Sequence, residues 1–452
     1  MSNTIAALST PAGSGIGVIR VSGDGALEVA SAVFRPLQQG KKICDMAGYT
    51  ACLGRVFDAA GDIDECILTV FRAPHSYTGE DVAELSCHGG SYVLSRTLQA
   101  LFAAGARAAQ AGEFTRRAFL NGKTDLTGAE AVMSLIGAQG RLAARTALAA
   151  RDGAVFGQLE AVRSALVGLQ AQFCAFVDYP DDDIPELMPD VLEQTLQQAA
   201  DTMQALLDTY DAGSVLRDGI DTVIVGAPNV GKSTLMNLLA HRDRSIVTAV
   251  AGTTRDVIEE TVLLGEIRLR LADTAGLHQT DDPVERIGID KAYHRLQTAA
   301  LVLAVLDASA PLSEQDTALL AQLDAQHTVV ILNKSDLPAV TKPEHIGMPY
   351  TVAMSAESGS GAEALQRCIE QITGVGDLGE ETPLLANERQ RDCARRCLLA
   401  LQQALQALRD GFTQDAVSVQ TDEALQAILE LTGERATEAV VDEVFARFCV
   451  GK

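Results

Sequence analysis

Residues Gly226 to Thr234 read GAPNVGKST and match G-x-x-x-x-G-K-[S/T] at Gly226, Gly231, Lys232 and Ser233. Each residue type answers a need of a bound polyphosphate. Glycines let backbone N–H groups turn inward on the oxygens, Lys232 reaches the β and γ phosphates, and the Ser233 hydroxyl ligates Mg²⁺. Asn229, Val230 and Thr234 complete the expected cradle. A structural glycine turn seldom sets Lys-Ser beside its second glycine, behind an apolar strand and ahead of a helix.

Two more short motifs follow in order. Asp273-Thr-Ala-Gly276 sets a carboxylate near the Mg²⁺ shell and a glycine N–H that can sense a γ phosphate, with Thr274 and Ala275 between them. Asn333-Lys-Ser-Asp336 offers the Asp336 carboxylate to guanine N1–H and the exocyclic amine, a pairing that adenine lacks, while Asn333 steadies the loops around Lys334 and Ser335. Ser355-Ala356 stands where a backbone N–H could meet guanine O6, and Glu357 follows within the expected GTP-contacting segment. Behind a phosphate loop, this series specifies GTP. Gly252-Thr-Thr-Arg-Asp256 occupies the place of a switch that orders around a γ phosphate, with Thr254 as an Mg²⁺ ligand. Leu277 stands where many GTPases carry a water-orienting Gln, so hydrolysis needs another polar group. Asn229, a hard oxygen beside the phosphates, and Glu285, in the segment after Asp281-Asp-Pro, are both candidates, and the residues alone leave the choice open.

These loops need strands to hold them. Apolar runs at 222–225, 267–271, 301–306, 329–332 and 350–354 each precede a motif or a helix, which predicts a doubly wound α/β sheet with its ligand loops at the carboxyl ends of the strands. Before it, residues 1–120 alternate β-rich runs (17–21, 66–71) with a helical stretch at 92–104, the pattern of an α+β domain. Gly13, Gly15 and Gly17 precede a strand instead of following one, so turn glycines are expected there and not a dinucleotide loop. Two polar clusters stand out: Ser76-Tyr-Thr-Gly-Glu-Asp81, running into Glu84-Leu-Ser-Cys-His-Gly-Gly90, and Gly112 to Lys123. His88 beside Cys87 lacks a second Cys/His pair at ligand spacing and reads as a hydrogen-bonded histidine, not a metal site. From 126 to 210, and again from 384, apolar residues recur at three- and four-residue steps; Cys393 and Cys397 lie on such a face as packing residues. The acidic, Pro-bearing stretch 178–185 breaks the first helical series and reads as a solvated loop. The expected architecture is α/β plus α+β and all-α: an N-terminal domain at 1–120, a helical domain at 121–215 and 379–452, and a GTPase domain at 216–378 inserted into it.

Composition bounds the rest. A chain of 452 residues suggests about three domains. The net charge of -24 makes the molecule as a whole repel nucleic acid unless a partner or a local basic patch intervenes. Nine scattered cysteines fit a reducing compartment better than a disulfide framework. With no basic-then-apolar leader and no apolar run of about 20 residues, a cytoplasmic protein without membrane contact is expected.

GVIRVSG from Gly17, SYTGEDVAELSCHGG from Ser76, GEFTRRAFLNGK from Gly112, LRDGIDTVIVGAPNVGKST from Leu216, AGTTRD from Ala251, DTAGL from Asp273, VERIGI from Val284 and FCVGK from Phe448 resemble the bacterial MnmE (TrmE) family of tRNA-modification GTPases over essentially the whole chain. The resemblance implies a homodimer formed through N-terminal domains that hold 5-formyl- or 5,10-methylene-tetrahydrofolate, with Arg20, Glu84, Lys123 and Lys452 at the folate. It implies a K⁺ ion held by Asn229, Thr248, Val250 and Thr253 in place of an arginine finger, and a water oriented by Glu285. GTP contacts then extend over Thr248, Ala249, Val250, Ala251, Gly252, Thr253 and Thr254. It further implies an FAD-dependent partner, MnmG, in a heterotetramer or larger complex that modifies C5 of the wobble uridine of certain tRNAs, and a role near the folate for Cys449. A ribosome-assembly GTPase switch shares the GTP motifs, but would be expected to carry a basic RNA-binding appendage. A folate-binding protein with GTP as regulator is a third reading.

Overall fold

The computed structural model describes residues 3–178, 188–242, 260–272 and 299–451. The expectations at 248–254, 273–277, Glu285 and Lys452, and most of the acidic stretch at 178–185, fall outside the described residues. The chain forms two compact units, one of Met1–Met133, Phe156–Gln197 and Arg396–Lys452 and the other of Ser134–Val155 and Gln198–Arg395.

In the first unit, β1 (Ile5–Leu8), β2 (Ile16–Ser22), β3 (Phe34–Pro36), β4 (Thr50–Asp58), β5 (Gly61–Phe71), β6 (Val82–His88) and β7 (Arg107–Ala108) form one sheet in the order β3-β4-β5-β6-β2-β1-β7. All its pairings are antiparallel except β1 with β7. Alternation along the strands sends Ile19, Val21, Leu68, Val70, Ala83 and Leu85 into one core, which also takes in Leu27 and Ala30 of the helix Ala26–Val33 and Leu94 and Leu101 of the helix Ser91–Ala103. The residues between them, Arg20 and Glu84 included, belong to the opposite face. Gly17, read both as a turn glycine and as the start of the β-rich run 17–21, lies inside β2, where a Cβ would come within 2.5 Å of the Leu94 side chain, so its lack of a side chain lets the helix approach the sheet.

The helical part of this unit buries the predicted stripes except at Phe176, expected on the first of them, which is exposed near the end of its helix. Leu159, Val162, Leu166, Leu169 and Phe173 on the helix Ala154–Asp178 are buried, as are Cys397, Leu401, Ala404 and Leu405 on the helix Glu388–Arg409. Leu126 and Ala129 pack with Val441, Val444, Phe445 and Phe448. The last described residues return to the N-terminal sheet: Ala111 and Val450 form a β-bridge, and Ser9 Oγ donates to Gly451 O at 3.1 Å.

The second unit is built on a sheet of β8 (Ile220–Val225), β9 (Glu260–Leu264), β10 (Ile267–Ala272), β11 (Leu301–Asp307), β12 (Thr328–Asn333) and β13 (Thr351–Ala353), in the order β13-β12-β11-β8-β10-β9. Five strands are parallel and β9 is an antiparallel edge. Both faces are covered, which is why the central strands read as unbroken apolar runs. Leu303, Val305, Val329 and Ile331 join one core together with Leu235 and Leu239 of the helix Lys232–Arg242. Val302, Ala304, Leu306, Val330 and Leu332 join the other. In the tight β9–β10 turn, Glu266 accepts the Leu142 N–H at 2.8 Å, supplying a first-turn acceptor to the helix Arg141–Arg151 that its own Gly140 cannot. The periodic run expected from Leu192 to Tyr210 is divided between the helices Pro189–Asp208 and Tyr210–Asp218.

Candidate functional site

The phosphate loop leaves the carboxyl end of β8 and enters the helix Lys232–Arg242. Its backbone departs from ordinary L-residue geometry at three positions: Gly226 at φ 149°, Asn229 at φ 62° and Gly231 at φ 100°. Such reversals of hand curl successive N–H groups toward one centre. At the two glycines, side chains are excluded as well. A Cβ on Gly226 would sit 2.2 Å from Val305 O, and one on Gly231 would sit 2.2 Å from Asn333 Nδ2. Lys232 Nζ donates to Gly226 O at 2.8 Å and to Ala227 O at 2.7 Å, so the side chain lies back along the loop. No carboxylate among the described residues pairs with it, and burial pushes its pKa down. A desolvated ammonium held only by carbonyls is a cation set for an anionic ligand. Ser233 and Thr234 are exposed on the first turn of the helix.

Asn333, at the end of β12, joins the phosphate end of the site to the base end. It is buried, its Nδ2 donates to Val230 O at 2.8 Å, and its Oδ1 accepts the Ala356 N–H at 2.9 Å. One side chain therefore fixes the separation of two loops. Asp336 is exposed, and its carboxylate has no partner among the described residues, which leaves it open to a guanine edge. Ser335 N donates to Met354 O, tying this loop to the end of β13. In the segment expected to face guanine O6, the Ser355 N–H goes to Ser360 O at 3.0 Å and the Ala356 N–H to Asn333. The next N–H, that of Glu357, has no acceptor among the described residues. The motif spacing did not reveal this division of donors, because it depends on a buried amide contributed by another loop.

On the face of the N-terminal sheet opposite that core, Arg20 of β2 and Glu84 of β6 are register partners. Arg20 Nε donates to Glu84 Oε1 at 2.8 Å, with the two side chains 16% and 24% exposed. The Arg20 guanidinium carbon lies 5.0 Å from the Tyr77 ring centroid and 5.6 Å from that of Phe114. Its terminal nitrogens meet no acceptor among the described residues. The two polar clusters singled out in the sequence are stitched together here. Tyr77 Oη lies 2.8 Å from Thr115 Oγ1, Asn121 Nδ2 donates to Thr78 O at 2.7 Å, and Lys123 Nζ donates to Pro74 O at 3.1 Å. Beneath them Arg117 binds Glu80 at 2.9 Å and Glu113 at 3.0 Å, and Glu113 also receives Arg107. Burial pushes the Glu113 carboxyl up, but the hydrogen bonds from Arg107, the Gln110 N–H and Arg117 outweigh it and bring the pKa to about 2.

His88 Nδ1 lies 2.7 Å from Asp64 Oδ1, the hydrogen-bonded arrangement expected of it. Cys393 and Cys397 are buried packing residues. Cys449 is an exposed free thiol on the tail that bridges to Ala111. Among the described residues, no helix is long and apolar enough to cross a membrane.

The chain was compared with known proteins. The profile described as the GTP-binding protein TrmE N-terminus matches residues 4–123, and that of the MnmE helical domain matches residues 126–449. The tRNA modification GTPase MnmE of Symbiobacterium thermophilum is 42% identical, with 99% of each chain covered. The proteins of the same description from Heliobacterium modesticaldum and Geobacillus kaustophilus are 40% and 39% identical, each with all of this chain and 99% of the relative covered. With such identity over nearly the full length of both chains, and with two profiles spanning the N-terminal sheet and the helices, this chain belongs to the MnmE (TrmE) family of tRNA-modification GTPases, enzymes that hydrolyse GTP.

Proposed function

We propose that this chain is a K⁺-stimulated GTPase that acts as a homodimer with an FAD-dependent partner, MnmG, in a heterotetramer or larger complex. The complex uses a one-carbon folate to add an aminomethyl or carboxymethylaminomethyl group to C5 of the wobble uridine of certain tRNAs. The observation that carries the reading is the presence, in one chain, of two sites each with an unspent cation. One is the phosphate loop, where the partners of Lys232 among the described residues are the Gly226 and Ala227 carbonyls. The other is the N-terminal face, where the Arg20 guanidinium is anchored at Nε, flanked by Tyr77 and Phe114, and has no acceptor for its terminal nitrogens among the described residues. The relatives named above are described as tRNA modification GTPases, which supports the substrate.

GTP with Mg²⁺ fits the phosphate loop, where the positive φ of Gly226, Asn229 and Gly231 turns backbone N–H groups toward one centre next to Lys232. Ser233 and Thr254 would hold the Mg²⁺, which neutralises charge on the β and γ oxygens when bound. Lys232 orients the same oxygens, and Asp336 with the Glu357 N–H selects guanine. For K⁺, Asn229 is exposed, and its amide has no partner among the described residues. It would act with Thr248, Val250 and Thr253, and a monovalent cation there would balance charge developing at the leaving phosphate. Glu285 is assigned to the attacking water, since Leu277 cannot hydrogen-bond it.

For the folate, Arg20 can donate two parallel bonds to a carboxylate or a ring carbonyl, while the second oxygen of Glu84 accepts from a ring N–H or amine. Tyr77 and Phe114 supply flat apolar surface, and Lys123 and Lys452 supply positive charge. Cys449 is assigned to the same neighbourhood because its backbone carbonyl accepts the Gly112 N–H at 3.4 Å, directly before the helix that carries Phe114. A chain of charge -24 needs help to hold tRNA phosphates, which assigns most of that contact to MnmG. The domain map of 1–120, 121–215, 216–378 and 379–452 accompanies this reading. Mass analysis of tRNA nucleosides from cells with and without this chain tests the function. Loss of the C5 modification is expected, and an unchanged wobble uridine would overturn it.

A further inference from the structure

We propose that Asp307 is a positioning residue for the guanine site, acting through Lys334. The inference rests on the reading of Asn333 to Asp336 as the base-recognition loop and adds a residue outside that motif. Asp307 ends β11 directly opposite Asn333 in the β11–β12 register. Its Oδ2 lies 2.6 Å from Lys334 Nζ, and its Oδ1 accepts from Ser309 N at 2.9 Å and Ser309 Oγ at 2.6 Å. Burial pushes the Asp307 carboxyl up, but Lys334 and both Ser309 donors outweigh it, so the group lies below its ordinary value and is ionised at neutral pH.

Lys334 itself is held in an unusual state. Its φ is 63°, a left-handed conformation that a non-glycine residue leaves unless its surroundings fix it. The surroundings do so on both sides. Asn333 is locked to Val230 and Ala356, and Ala308 N donates to Asn333 O at 2.8 Å. With its ammonium tethered at Asp307, the lysine has both ends fixed, and its four-carbon stem is ordered before any base arrives. An ordered alkyl stem two residues from the Asp336 carboxylate, which has no partner among the described residues, offers a purine an apolar surface beside the group that reads its edge. Without the tether, the stem would have to be ordered on binding, and that entropy is lost from affinity.

The test is a double-mutant cycle on the full chain, read as GDP affinity by titration calorimetry, with melting of the nucleotide-free protein recorded for every variant. Asp307→Asn keeps the shape and the oxygen facing Ser309 but removes the charge that holds the lysine. It is expected to weaken GDP about tenfold, the scale of one lysine side chain's lost rotamer freedom. In a Lys334→Gln background the same substitution should cost less than about twofold, because its route of action is gone. Ser309→Ala loosens the carboxylate without discharging it and should give a smaller loss of the same sign, so the inference stays testable if Asp307→Asn folds poorly. Equal losses in the two backgrounds, tighter GDP binding by Asp307→Asn, or no loss with Ser309→Ala and Asp307→Asn alike would overturn it. If the parent chain failed to bind GDP at all, the base-recognition reading itself would fall, a different result from an additive cycle.

Discussion

Replacing Gly231 with Ala tests whether one residue couples the two ends of the GTP site. The added Cβ would lie 2.2 Å from Asn333 Nδ2, about 1.3 Å short of an ordinary contact of ~3.5 Å. Nothing on the alanine side can yield, because the residue also has φ 100°, where an L side chain costs about 1–3 kcal/mol. Asn333 must therefore move, and a displacement of that size breaks its 2.8 Å bond to Val230 O and draws Oδ1 from the Ala356 N–H. Unsatisfied buried groups cost about 1–3 kcal/mol each. If about 2 kcal/mol of the total appears in binding, GDP affinity falls roughly 30-fold. The remainder appears as a fall of a few degrees in the melting of the nucleotide-free protein. Titration with a fluorescent GDP analogue measures the first and calorimetry the second. Asn333→Ala in the same background should add little, since both changes act through one side chain. A Gly231→Ala protein that binds GDP within threefold of the parent would refute the coupling.

Four other outcomes are expected. Asn229→Ala should abolish stimulation of GTP hydrolysis by K⁺ over Na⁺ while GDP affinity holds, and Glu285→Ala should slow hydrolysis with little change in affinity; unchanged K⁺ stimulation or an unchanged rate removes the respective assignment. Arg20→Gln, measured by fluorescence titration of the full chain with 5-formyl-tetrahydrofolate, should weaken binding at least tenfold through loss of a charge-assisted pair, and equal affinity would remove Arg20 from the folate site. The Glu113 carboxyl is depressed in the folded state to about 2, so its stabilisation is complete above its unfolded pKa and lost as pH falls from about 4.5 through 2. Glu113→Gln should therefore cost on the order of 3 kcal/mol at pH 6 and progressively less toward pH 2, seen as converging urea midpoints; a gap that stays constant with pH would exclude the linkage.

The sequence by itself determined the chemistry of the loops and the strands that carry them. Phosphate recognition needs glycine, lysine and a hydroxyl at fixed spacing on one turn of chain, and parallel strands buried on both faces must be apolar throughout. Both requirements are local, so GAPNVGKST and the runs behind it were legible without coordinates. The helical stripes were legible for the same reason, although the break between Asp208 and Tyr210 was not, because Thr209 interrupts the helix without interrupting the apolar period. The tertiary structure decided what depends on residues distant in sequence. Only the β2–β6 register sets Arg20 against Glu84, and only the sheet order brings Asn333 between Val230 and Ala356, spending the Ala356 N–H and leaving that of Glu357. Gly17 looked like a turn residue because composition cannot show that a helix will press on a strand at that point. The ion pair of Asp307 with Lys334 joins the ends of two neighbouring parallel strands, and no spacing rule along one chain encodes which strands will be neighbours.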